Sequence, residues 1–118
     1  MKKAAGLISL ILIIGTALAG CAGGGSPSSV VRQLHTAIEQ GDNKTITDLT
    51  VSEAAGVIIK MMQTLQQTYA DTGGIAKTEQ TINGDTASVK VTYKNGDSDN
   101  YDLIKVDGKW KVTVKMNK

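Results

Sequence analysis

One thiol, one imidazole and a short acidic run are the first places in this chain to look for chemistry. Cys21 is the only cysteine and His35 the only histidine. A lone cysteine forms no disulfide within its own chain, so its use must be sought elsewhere. An imidazole does acid–base work when a nucleophile or carboxylate lies within hydrogen-bond reach. Nothing in the sequence assigns one to His35, which reads as a boundary or solvent-exposed residue at the edge of an apolar stripe. The run Asp97-Ser98-Asp99-Asn100-Tyr101-Asp102 has the alternating oxygens of a calcium loop. The EF-hand pattern also needs oxygen at position 5, Gly at 6 and Glu at 12, and counting from Asp97 these are Tyr101, Asp102 and Gly108. The run therefore reads as a solvated hairpin loop, and no metal or cofactor is expected.

The setting of Cys21 explains its use. Lys2 and Lys3 make a positive start, Ala4 to Ala17 is an apolar stretch, and the small residues Ala17, Ala19 and Gly20 follow. That order defines a secretory signal. A spanning helix needs about 20 apolar residues, and this stretch is shorter and interrupted by Gly6, Ser9, Gly15 and Thr16. Leu18-Ala19-Gly20-Cys21 then resembles the lipobox of bacterial lipoproteins. The resemblance implies that Cys21 carries a thioether-linked diacylglycerol and becomes the first mature residue. One acyl chain anchors only marginally and stable anchoring takes two signals, which several chains on one cysteine supply. Residues 1–20 are expected to be a signal peptide, and residues 21–29 the lipidated cysteine with a Gly/Ser tether. Residues 30–118 are expected to form one domain. The tether, Gly23 to Ser28, would hold that domain about 15 Å from the membrane. Ala22 after the cysteine resembles lipoproteins sent to an outer membrane, facing the periplasm where the host has one.

Charge narrows the partners. The 118 residues hold thirteen basic and eleven acidic side chains. Losing Lys2 and Lys3 with the signal makes the remainder formally neutral, which gives no basic patch for nucleic acid. Lys90, Lys109, Lys111 and Lys115 read as solubility and edge protection on one sheet face; Glu79 and Asp102 on that face oppose a strong basic field.

The elements that position these groups follow from period and punctuation. Val30, Val31, Leu34, Ala37 and Ile38 recur at helical spacing from about Pro27 to Gln40, with Ser26 as N-cap and Gly41 as stop. Asp42 or Asn43 caps a short second helix, Lys44 to Leu49. Ser52 caps a third, from Glu53 to about Tyr69, ended by Thr72-Gly73-Gly74. The period then changes to two. Asn83-Gly84, Asn95-Gly96 and Asp107-Gly108 mark turns between strands at 75–82, 86–94, 98–106 and 109–116.

A two-residue turn at Asp107-Gly108 pairs Val106 with Lys109 and Leu103 with Val112. A three-residue loop at Asn95–Asp97 pairs Val91 with Tyr101 and Val89 with Leu103. A two-residue turn at Asn83-Gly84 sets Thr78 beside Val89 and Gln80 beside Ala87. The inner face then carries Ala76, Thr78, Gln80, Ile82, Ala87, Val89, Val91, Tyr93, Tyr101, Leu103, Trp110, Val112 and Val114. It carries no Asp or Glu. One apolar and one wet face suit an antiparallel sheet covered on one side. The fold class is α+β: two or three N-terminal helices packed on a four-stranded antiparallel curved meander.

"TAIEQGDNKTITDL" (36–49), "DTASVKVTYKNG" (85–96) and "VDGKWKV" (106–112) resemble small bacterial lipoproteins with a domain of unknown function. The fold this implies is nuclear-transport-factor-2-like, or cystatin-like: a curved sheet cupping a long helix, often around a cone-shaped cavity. Superfamily enzymes of that shape place an acid/base carboxylate or tyrosine in the cone. Tyrosine alone, with a pKa near 10, is a poor base at neutral pH. The leading expectation is a membrane-anchored, non-enzymatic domain that binds a protein partner or envelope component. The alternative is a small-molecule cup lined by Tyr69, Thr78, Gln80, Tyr93, Tyr101 and Trp110. An enzyme of the superfamily comes third.

Overall fold

The computed structural model describes residues 25–113. The expected signal segment, Cys21, and Val114, Lys115 and Met116 of the expected last strand lie outside the described residues.

Helix α1 spans Pro27–Gln40, so it begins inside the stretch read as tether. The Ser26 hydroxyl accepts from the Ser29 amide at 3.1 Å, and Pro27 fills a first-turn position where no N–H is missed. Gly41 ends the helix at φ 68°, a left-handed conformation that only glycine adopts cheaply. Helix α2, Asn43–Leu49, starts where the Asp42 carboxylate accepts from the Thr45 amide and hydroxyl, at 3.1 and 2.7 Å.

The expected long third helix is two helices, α3 (Ser52–Lys60) and α4 (Met62–Thr72). Met61 breaks the run at φ −99°, ψ 15°, its amide shared between the Val57 and Ile58 carbonyls. Packing explains the break: α3 lies against α2 and the last strand, whereas α4 lies against α1. A straight rod cannot follow both surfaces. Ser52 is not the cap either; Val51 holds that place without a side-chain bond.

The sheet has strands β1 (Ile75–Asn83), β2 (Thr86–Tyr93), β3 (Ser98–Val106) and β4 (Lys109–Thr113), in the order β1-β2-β3-β4. All neighbours are antiparallel. The β3–β4 register is as expected, with Val106 opposite Lys109 and Leu103 opposite Val112. Two other registers differ by two residues. In β2–β3, Val89 faces Tyr101 and Ala87 faces Leu103. The loop is three residues long but lies at 94–96, because Gly96 at φ 97° supplies the left-handed third position of such a loop. In β1–β2, Gln80 faces Val89 and Thr78 faces Val91, since the turn is Gly84-Asp85 rather than Asn83-Gly84. A two-residue slip preserves which face each side chain takes, whereas a one-residue slip reverses it. The expected faces therefore survive where the expected partners do not.

Three inner-face positions, Ala76, Gln80 and Ile82, are exposed exceptions. A bulge between Ile75 and Lys77 turns Ala76 out to solvent and Ile75 toward the core. Ile82 is 51 % exposed because its end of edge strand β1 runs beyond the helical cover. The helices bury the remaining inner face: Val30, Val31, Leu34 and Ile38 of α1 and Ile46 and Leu49 of α2 meet Val89, Val91, Leu103 and Val112. The α2–α3 connection covers the free edge of β4, where Val51 N–H donates to Val112 O at 3.0 Å.

Candidate functional site

Four rings from four elements meet at one end of this core. His35 follows Leu34 on α1, one turn from Val31 and Ile38, and is 5 % exposed. The expectation of a boundary or exposed histidine is corrected: helix α4 and the sheet close over it. Tyr69 comes from the last turn of α4, Tyr93 from the end of β2, and Tyr101 from β3, where it shares a face with Leu103. His35 stacks on Tyr69 with ring centroids 4.0 Å apart and planes 18° from parallel.

The Tyr101 hydroxyl is the hub. It lies 2.7 Å from His35 Nε2, 3.2 Å from the Tyr69 hydroxyl and 3.4 Å from that of Tyr93. The Tyr93 hydroxyl donates to Asp99 Oδ2 at 2.8 Å. A line of oxygens thus joins a buried imidazole to an exposed carboxylate. Asp99 corrects a second expectation. It faces Val91 across the sheet, so the inner face does carry an acid, at its rim.

Burial sets the charge states. It pulls His35 down to about 4, helped by the nearby Arg32 guanidinium, so the imidazole is neutral at pH 7. Burial pushes the phenols of Tyr69, Tyr93 and Tyr101 upward, because desolvation disfavours the charged form. Each keeps its proton. The three shortest contacts are satisfied when Tyr69 donates to Tyr101, Tyr101 to the bare Nε2, and Tyr93 to Asp99, with the imidazole proton on Nδ1.

Two clefts meet this cluster. The larger, about 420 Å³, runs between α1, the α3–α4 bend and β3–β4. Its sides include Leu34, Ile38, Ile58 and Leu65, and Tyr69, Tyr101 and Asp99 stand in its wall. The smaller, about 220 Å³, opens on the other side of His35 and Tyr69, beside Arg32 and Glu39. Three expected cup residues are elsewhere. Thr78 is half-buried on β1 without reaching either cleft. Gln80 is exposed, its Oε1 accepting from the Ser28 amide at 3.0 Å. Trp110 is buried at the far end of the sheet, opposite Lys105, whose ammonium lies 5.0 Å from the indole centroid. Four residues of strand, about 13 Å, separate that point from Tyr101.

The missed residues had a signal. Asp99, Tyr101 and Leu103 alternate, so they share a face. His35 lies four residues after Val31 and three before Ile38, within the same helical stripe. What no spacing reveals is that α4 returns to lay Tyr69 on the imidazole.

No family model matches the chain, and no curated protein matches it. A solved Campylobacter jejuni structure described as an NTF2-like transpeptidase is similar, with a TM-score of 0.57 and 23 % sequence identity. The match covers 77 % of this chain and all of that one. The fold is therefore α+β and nuclear-transport-factor-2-like, with four helices and an open four-stranded antiparallel sheet among the described residues.

Proposed function

We propose that this chain is a lipid-anchored protein of the bacterial envelope whose domain binds a small apolar molecule and does no catalysis. The observation that carries the binding reading is the cleft of about 420 Å³, with aliphatic sides and hydroxyls of Tyr69 and Tyr101 in its wall. Ligand sites are of that size, mainly apolar, with a few placed polar groups. It favours a small ligand over the protein partner first expected. The exposed large apolar side chains, Met61, Ile82 and Ile104, sit in separate parts of the fold, and Met61 belongs to the cleft itself.

The non-catalytic reading rests on the charge states. Transpeptidation, the activity in the description of the Campylobacter jejuni protein, requires an activated nucleophile. Here the imidazole's closest partner is the Tyr101 phenol, and burial moves that phenol away from ionisation. The anchor reading rests on the order of Lys2-Lys3, the apolar stretch and Leu18-Ala19-Gly20-Cys21. It places the domain on the exported side of the membrane, at an outer membrane facing the periplasm where one exists. The lipid on Cys21 is its membrane contact.

The test of the cleft uses 1-hexanol and methyl-labelled full chain. The Ile58 and Leu65 resonances shift in a saturable way, while those of Val31 and Val89 in the sealed core hold still. Absence of any saturable shift at Ile58 and Leu65 overturns the binding reading.

A further inference from the structure

The cleft has a polarity that selects among apolar ligands. Asp99 is the one charged side chain in its wall among the described residues; no lysine or arginine lines it. One Asp99 oxygen is engaged by the Tyr93 hydroxyl at 2.8 Å, which orients the carboxylate. The other accepts no hydrogen bond among the described residues. Tyr69 and Tyr101 stand in the same wall, with their hydroxyls 3.2 Å apart, and Asn100 adjoins them. Ile38, Ile58 and Leu65 supply the apolar remainder.

We infer that the cleft takes a cationic amphiphile: an apolar body against α1, α3 and α4, and a protonated amine or similar cation against Asp99. This rests on the binding reading above and names its ligand class. The physical reason is complementarity of sign. An ammonium at the rim of this wall finds an oriented carboxylate on the same face as the Tyr101 ring, and charge-assisted bonds of this type are stronger than neutral ones. A carboxylate or phosphate head meets Asp99 with like charge and finds no cation in the wall. The cleft therefore discriminates against free fatty acids, which share the apolar body but carry the opposite head.

The experiment compares n-hexylamine, 1-hexanol and hexanoate with the full chain at pH 7.5, read from the Ile58 and Leu65 methyl resonances. The expected order is amine, then alcohol, then carboxylate. The amine-to-alcohol ratio of affinities is about fivefold, the scale of a partly exposed charge pair. In Asp99→Asn, which removes charge from an exposed position and keeps its shape, that ratio falls to about one by the same reckoning. Equal binding of all three probes, a preference for hexanoate, or an amine preference that survives Asp99→Asn overturns this inference while leaving an apolar cleft. Failure of all three probes to shift the methyls removes the binding reading with it.

Discussion

His35 is a neutral base stored where water cannot easily protonate it. Its pKa falls from an ordinary 6.5 to about 4 in the folded chain, so the unfolded chain takes up a proton first as pH drops. Stability from this residue is therefore full above pH 6.5 and lost on acidification through about pH 4. The displacement corresponds to about 3 kcal/mol. We predict that wild type loses that much more stability than His35→Gln between those two pH values, measured as urea midpoints; parallel curves would contradict it. Tyr101 is the second residue whose loss reaches beyond itself. Tyr101→Phe strips His35 Nε2 of its 2.7 Å partner and leaves the Tyr69 hydroxyl with no acceptor at 3.2 Å. A buried group left without a partner costs about 1–3 kcal/mol. The variant should melt correspondingly lower, and an unchanged melting temperature would show that the hub is dispensable.

At the scale of elements, the site depends on a bend and a hairpin loop. The break at Met61 lets α3 cover β4 while α4 swings back to place Tyr69 over His35. The loop at 94–96 sets β3 so that Asp99 meets Val91 and Tyr101 meets Val89, which brings Asp99 within reach of Tyr93. Trp110 does a different job. It is 8 % exposed at the opposite end of the inner face, where it closes the core under Lys105. Trp110→Ala should cost about 3–5 kcal/mol, a large part of the 5–15 kcal/mol typical of a domain. Thermal melting measures it. Near-native melting would place the indole outside the core. Because Trp110 stands away from the cleft, a folded variant at low temperature should still bind 1-hexanol.

For the whole molecule, the proposal joins a small binding domain to a membrane through one atom, the Cys21 sulfur. Cys21→Ser removes the only thiol in the chain, and with it the thioether. We predict that the variant accumulates unprocessed or leaves the membrane fraction. Cell fractionation and the mass of the N-terminal peptide report this together, and normal processing with membrane retention would defeat the anchor. On that proposal, a tether of few residues would keep the cleft close to the bilayer surface, a place where amphiphiles are concentrated.

Local chemistry made much of the fold legible. Ser26, Pro27 and Gly41 bound α1 where capping physics says they must, and Asp42 starts α2 for the same reason. The alternation of β2 and β3 told which side chains face inward, since that depends only on strand parity. The partners across each hairpin were less legible, because a shift of two residues leaves the parity unchanged and only the left-handed glycine, Gly96 or Gly84, decides between them. The helical break at Met61 has no local cause at all; it comes from the surfaces that α3 and α4 must both meet. The site belongs to that second kind. The sequence by itself determined that Tyr93 and Tyr101 point inward and that His35 lies on a helical stripe. Only the tertiary structure decided that Tyr69 returns to join them, that Trp110 and Gln80 stay away, and that Asp99 closes the line, because burial and distance are properties of packed elements and not of spacing.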